Sequence, residues 1–235
     1  MASVASSLLL ALGQLADPKV LWILAKSLVV TVVLVAGIAC GGWYALDWAL
    51  GRAGLDEGWF SGAGWLRQAA SLMLTLVGLW LVWRIVAMAV IGFFADEVVL
   101  AVEAKHYPAA AARARDLPLA EQFSSSLRSA WRALVVNLIA LPFALVLLVT
   151  GIGTALVFFV VNTALVGREL EDMVWLRHRR DAADPSPLAR GERALLGGAV
   201  TAMLSLPFVN LVAPILGAAA ATHLIHRKDL ARHAA

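Results

Sequence analysis

The sequence predicts an all-α integral membrane protein, with two long transmembrane helices and two re-entrant helical hairpins that penetrate the bilayer only in part. Three observations predict it. Of 235 residues, 61% are hydrophobic and 15% charged, whereas soluble domains run nearer half apolar and a quarter charged. Mean hydropathy is +0.82, so a bilayer is the solvent to reason with. The apolar residues also fall into four runs, and the last two are interrupted in the middle by helix breakers.

Ser6 to Leu12 is a weak apolar stretch with no basic residues before it, so no cleaved signal is expected, and ALGQLADPKV (11–20) reads as a short interfacial helix followed by a break. Asp17-Pro18 then reads as a helix start, with Asp17 as cap and Pro18 at the first position. The uncharged run Ser27 to Leu46 follows. At 1.5 Å per residue it spans about 30 Å, the hydrocarbon thickness. Lys26 marks one end, and Trp43, Tyr44 and Trp48 mark the other as an interfacial belt.

The second run begins after Arg67 and is crossed by Arg84. The seventeen steps between these arginines make roughly 26 Å of helix, so Arg84 is expected near the opposite interface. There it either snorkels to the headgroups or forms a buried cation that meets an anion. Lys26 is expected at the same level, so the two could share one site. A Gly-rich outer loop, 47–67, joins the two helices.

The third run, Ala133 to Gly167, has 35 residues without a charge, too long for one ordinary span. Pro142 and the Gly151-Ile152-Gly153 stretch are the breakers. A turn at Thr150 to Thr154 leaves two arms of about seventeen residues, one kinked by Pro142, which cross fully or only dip in. Asn137 and Asn162 need partners at that depth and are candidates to join the arms. The fourth run, Ala194 to Thr222, holds Pro207, Asn210 and Pro214. A turn there leaves arms too short to cross, so a re-entrant hairpin is predicted. Its tip is buried in protein or lines a wet cavity. One continuous kinked helix is the alternative.

Lys and Arg cluster in the segments 96–132, 168–193 and 225–235. The positive-inside rule places all three on the cytoplasmic side, with both termini, so runs three and four each cross an even number of times. Glu97 and Glu103 are cytoplasmic ion-pair candidates for Arg84, Arg113 or Arg128, at the surface. Glu169 belongs to an acidic RELED stretch followed by RHRR (177–180). That pattern suggests a salt-bridged helix and a basic tract on anionic lipid headgroups, rather than on nucleic acid.

No nucleotide fingerprint, Walker loop or paired-cysteine zinc spacing occurs, and no nucleophile–base constellation is present, so an enzyme is not expected. His223 and His226 are three apart, but no carboxylate neighbour in sequence completes a ligand set. Surface or interfacial histidines are expected, with no metal and no cofactor.

Three stretches carry a family resemblance: ADEVVLAVEAKHYP (95–108), GIGTALVFFVVNTALVGRELED (151–172) and GERALLGGAVTAMLSLPFVNLVAPILGAAAATHL (191–224). In this order they resemble the CysZ/EI24 family of membrane proteins. The resemblance implies one membrane domain over 1–235, two long helices plus two partly penetrating hairpins, a bacterial inner-membrane location and a homo-oligomer. It implies transport of a small inorganic anion, sulfate or a related oxyanion. The family's early sulfate-binding stretch has its nearest match at Gly13 to Lys19, with a lysine where an arginine is usual. Gly13, Lys19, Lys26, Arg84 and Arg168 are therefore the anion-binding candidates, the cations ringing a cytoplasmic mouth. The alternative is a non-transporting scaffold that shapes the bilayer or recruits partners through its basic face.

Overall fold

A computed structural model describes residues 3–53, 63–181, 184–206 and 209–233, apart from the side chains of 63, 80–93 and 233. Among them every regular element is helical: α1 (Val4–Gln14), α2 (Pro18–Arg52), α3 (Ala63–His106), α4 (Pro108–Ala111), α5 (Leu119–Val146), α6 (Gly153–Trp175), α7 (Arg190–Leu204) and α8 (Ala213–His233). Three described helices are long and apolar enough to cross a membrane: α2, α5 with its 3-10 extension to Thr150, and α6.

The chain divides into two compact units, 22–94 and the remainder. The first unit is a pair of long helices, the end of α2 and the start of α3. Asp47 accepts from Arg67 Nε at 2.9 Å beside the loop. At the other end, Lys26 Nζ lies 4.9 Å from the centre of the Phe94 ring. These two contacts make the pair antiparallel. Leu28, Val29, Val32 and Val33 of α2 are exposed, as a lipid-facing surface requires. The Gly-rich loop tip, 54–62, lies outside the described residues.

The second unit is built around α8. From Ile215 to His226 every residue of α8 is buried. A helix covered all round is an interior helix, and α1, α6 and α7 pack on it. Ser7, Ala11 and Gln14 are the buried residues of α1; at steps of four and three they form one face. Gly217 admits Leu170 of α6 and Val200 of α7, which would lie 3.1–3.3 Å from a Cβ there. At its N-terminus, α7 is held by Glu192, which accepts from the Ala189 N–H at 3.0 Å and pairs with Lys228 of α8 at 2.5 Å.

The third run turns where expected. The turn follows the 3-10 segment Leu147–Thr150, and Gly151 takes φ +74°, which a Cβ would strain. Thr154 Oγ1 donates to Ala144 O at 2.7 Å across the turn. The base of the hairpin is charged: Arg132 pairs with Asp172 at 3.6 Å, and Ser129 donates to Glu169 at 2.8 Å. Pro142 does not break the chain; α5 continues through it. The arms are also longer than expected, because α5 starts at Leu119, before the apolar run. Asn137 and Asn162 do not join the arms. Each donates to the carbonyl four residues back in its own helix, Ala133 and Phe158, at 2.8 Å.

The fourth run breaks between Leu204 and Ala213. Asn210 contributes a backbone N–H to Leu206 O at 3.0 Å, and Pro214 stands at the second position of α8, where its missing N–H costs nothing. Pro207 lies outside the described residues. The second arm is not short: α8 has 21 residues, about 32 Å, because it runs on past the apolar stretch. Neither α7 nor α8 is among the helices apolar enough to span.

The tightest packing is between α6 and α7. A Cβ on Gly197 would stand 2.1 Å from Thr163 O, and one on Gly167 would stand 2.3 Å from Arg193 O. Backbone meets backbone here, as small residues permit between membrane helices. Gly197→Ala is predicted to destabilise the protein by about 1–3 kcal/mol. Gly198→Ala, whose Cβ would make ordinary contact at 3.5 Å, is predicted to be neutral or stabilising by up to about 1 kcal/mol through helix propensity. Thermal unfolding in detergent compares them; equal midpoints for the two variants would contradict the close approach.

Candidate functional site

The C-terminal turns of α3 carry the side chains around which the second unit is polar inside. Val98, Val99, Val102 and Glu103 are all buried, a helical face that places a carboxylate among apolar neighbours. Such a group is expensive unless it is paired. Glu103 Oε1 accepts from His178 Nε2 at 2.8 Å and from His226 Nε2 at 3.0 Å. Arg177 Nη1 stands 3.7 Å from Oε2, close enough for ion pairing and too far for a hydrogen bond. Burial pushes the Glu103 carboxyl up, but hydrogen bonds from His178 and His226 and their charges outweigh it and hold the group at about 2. Glu103 is thus a carboxylate at any physiological pH.

A second polar cluster continues from it. Tyr107 Oη lies 2.8 Å from His223 Nδ1. Gln14 Nε2 lies 2.7 Å from His106 Nε2 and 3.3 Å from His223 Nε2. Burial first, then His106, Arg227 and His226, lower the His223 pKa to about 4. His223 is therefore neutral, with one donor and one acceptor nitrogen. With the amide as assigned, Gln14 donates to Nε2 and Nδ1–H donates to the Tyr107 oxygen. The Tyr107–His226 rings are 4.8 Å apart and the His178–His226 rings 4.7 Å, so the two clusters form one packed aromatic and polar core.

A cavity of about 780 Å³ opens against this core, with His178 and His226 in its wall. Arg113, Arg115, Arg177, Arg179, Arg180 and Arg232 also line it, against the carboxylates of Asp184 and Asp229. Six guanidinium groups around one space make a cationic basin, since guanidinium stays protonated and presents a rigid fork of donors to oxyanions. Glu121 partly balances the rim, accepting from Arg115 at 2.7 Å and from Arg179 at 3.1 Å. Arg179 Nε is buried there without a hydrogen-bond partner.

Several expectations are corrected here. His223 and His226 are not at the surface; they are 1% and 4% exposed. A carboxylate does stand beside His226, from a residue 123 positions away, and it joins His226 to His178 rather than to His223. Glu103 is not a surface ion-pairing group: among the described residues its partners are His178, His226 and Arg177 rather than Arg113 or Arg128, while the Arg84 side chain lies outside the described residues. Glu169 meets Ser129. Glu97 is half-buried on the same helix as Glu103. The 177–180 tract follows α6 as a turn and faces Glu103 and Glu121 as well as the cavity. The RELED stretch does form ion pairs across helices: Glu171, buried, pairs with Arg193 at 2.6 Å.

Each described anion-binding candidate has its own surroundings. Gly13 has open space where a Cβ would be. Lys19 donates its backbone N–H to Asp17 Oδ1 at 2.9 Å, which realises the predicted cap. Lys26 lies by Phe94. Arg168 stands 3.9 Å from Asp172 on its own helix. The Arg84 side chain lies outside the described residues, and so does any site it shares with Lys26.

A chain whose described regular elements are all helical, three of them long and apolar enough to span, is a helical membrane protein, here with an arginine-lined cavity. The family model described as sulfate transporter CysZ/etoposide-induced protein 2.4 matches residues 7–214. The chain belongs to this EI24 family, and membrane transport is the activity that the family's description names. No curated protein matches the chain, and no solved structure does.

The neutral state of His223 gives a pH dependence. Its pKa is 6.5 when exposed and about 4 in the fold. Below pH 6.5 the unfolded chain gains a proton that the native state refuses. Stability from this group is full above pH 6.5 and is lost as pH falls towards 4. The thermal midpoint of the detergent-solubilised protein is predicted to drop through that window, and His223→Gln to flatten the slope there. An unchanged slope in the variant would show that His223 titrates alike in both states.

Proposed function

We propose that the protein carries a small inorganic anion, sulfate or a related oxyanion, across a bacterial inner membrane as a channel or permease. Both termini and the basic segments face the cytoplasm in this reading, and the chain works as a homo-oligomer. The observation that carries the reading is the arginine-lined cavity in a chain of this family. A basin of like charge raises the local concentration of anions and speeds their capture. Its size accommodates a hydrated oxyanion, so selection rests on charge and on guanidinium forks rather than on close fit. Gly13, Lys19, Lys26, Arg84 and Arg168 stay as candidates for other points on the path. The fourth-run hairpin dips into the bilayer without crossing it.

Radiolabelled sulfate uptake into liposomes tests this directly. Saturable uptake, inhibited by other oxyanions, is predicted for the wild type. Arg113 Nε donates locally to Ala109 O, and Arg180 donates to Asp184 Oδ2 through its backbone N–H, which a substitution keeps. The double variant Arg113→Gln/Arg180→Gln is predicted to fold normally and to take up sulfate at least about tenfold more slowly at limiting concentration, a barrier change near 1.4 kcal/mol. Wild-type protein that is inserted and folded, yet passes no sulfate above empty liposomes, would favour a non-transporting scaffold.

A further inference from the structure

We propose that Glu103, His178 and His226 form a binding site for one divalent transition-metal ion of the zinc class. Three separate segments supply the ligands: the end of α3, the turn after α6, and α8. Glu103 Oε1, His178 Nε2 and His226 Nε2 all lie within 4.8 Å of one another. The oxygen is 2.8 and 3.0 Å from the two nitrogens. Ligand atoms around tetrahedral zinc, with bonds of about 2.0–2.2 Å, stand about 3.3–3.5 Å apart. Opening the oxygen–nitrogen distances by about half an ångström, less than a side-chain rotamer change, admits the ion.

The donor set selects the ion. Two imidazoles and one carboxylate suit zinc and its first-row neighbours, whereas magnesium and calcium favour all-oxygen shells. Glu103 Oε2 is buried without a hydrogen-bond partner, so the carboxylate retains lone pairs for a second contact. His178 and His226 reach the cavity, which supplies an entry route and a water for the fourth position. The opposing feature is Arg177, 3.7 Å from Oε2. It makes no hydrogen bond at that distance, and its side chain reaches the cavity, where it withdraws as the ion enters. An ion so placed fastens the three segments together at the cavity wall. The proposal does not depend on what the protein transports.

The test uses full-length protein in detergent, stripped with chelator and then titrated with Co²⁺ and, separately, Zn²⁺. One Co²⁺ per chain, with visible d–d absorption displaced by Zn²⁺, is expected. Zinc X-ray absorption should show nitrogen and oxygen at about 2.0–2.2 Å, with outer-shell scattering from two imidazoles. Glu103→Gln and His226→Gln should each weaken Co²⁺ binding at least about tenfold. His106→Gln, which removes a nearby imidazole outside the trio, should leave it unchanged. Folded wild-type protein that gives no d–d bands overturns the proposal whether or not any variant folds. So does a His106→Gln protein that loses binding as fully as His226→Gln.

Discussion

A carboxylate whose side chain is 1% exposed constrains everything around it. Glu103 lies on the apolar face of α3, and its charge is retained because two imidazoles donate to one oxygen and a guanidinium stands near the other. Those groups come from the turn after α6 and from α8. Removing one partner leaves a buried charge uncompensated, a loss far greater than the net worth of the pair. The unit therefore closes only when three distant segments meet at this carboxylate. The covered path of α8 and the cavity beside it both follow from that meeting. Polar groups inside a low-dielectric core have few alternative arrangements, so the contact specifies the fold as well as contributing to its stability.

Around this hub the packing relies on small residues. Gly167 and Gly197 bring the backbones of α6 and α7 together, and Gly217 lets Leu170 and Val200 close on α8. Small side chains let helix backbones approach closely, and the dispersion contact so gained adds to association. The alanine run 218–221, buried to 1% or less, fits this logic: short side chains admit α1, α6 and α7 against one central helix. Charge gathers at helix ends, the hairpin base and the cavity, while the α5–α6 tip and the exposed face of α2 are apolar.

Much of the architecture was legible in the sequence because it is local. Run lengths, the Gly151 turn, the break before Pro214 and the Asp17 cap all depend on neighbours within a few residues. The extent of α8 was not, since its apolar pattern stops at Thr222, whereas the helix continues through the buried turn 223–226 into half-buried and exposed residues at 227–232. The site was harder still. The spacing of His223 and His226 was visible, but the carboxylate that His226 meets is on another helix more than a hundred residues away, and it shares that carboxylate with His178 rather than His223. Likewise, the arginines at 177–180 read as a headgroup-facing tract until Arg113, Arg115 and Arg232 come round the same space. Buried polar residues on an otherwise apolar helix face, Glu103 after Val98, Val99 and Val102, were the one sequence signal that could have pointed to the hub.

The most direct measurement is a double-mutant cycle between Glu103 and His226, using Glu103→Gln, His226→Gln and the double variant, read by reversible unfolding in detergent. If the buried carboxylate organises this unit, the two residues couple by about 1–3 kcal/mol, and the double variant loses less than the two single losses combined. Additive losses within about 0.5 kcal/mol would mean the two side chains act independently, and the convergence of α3 and α8 would then need another cause.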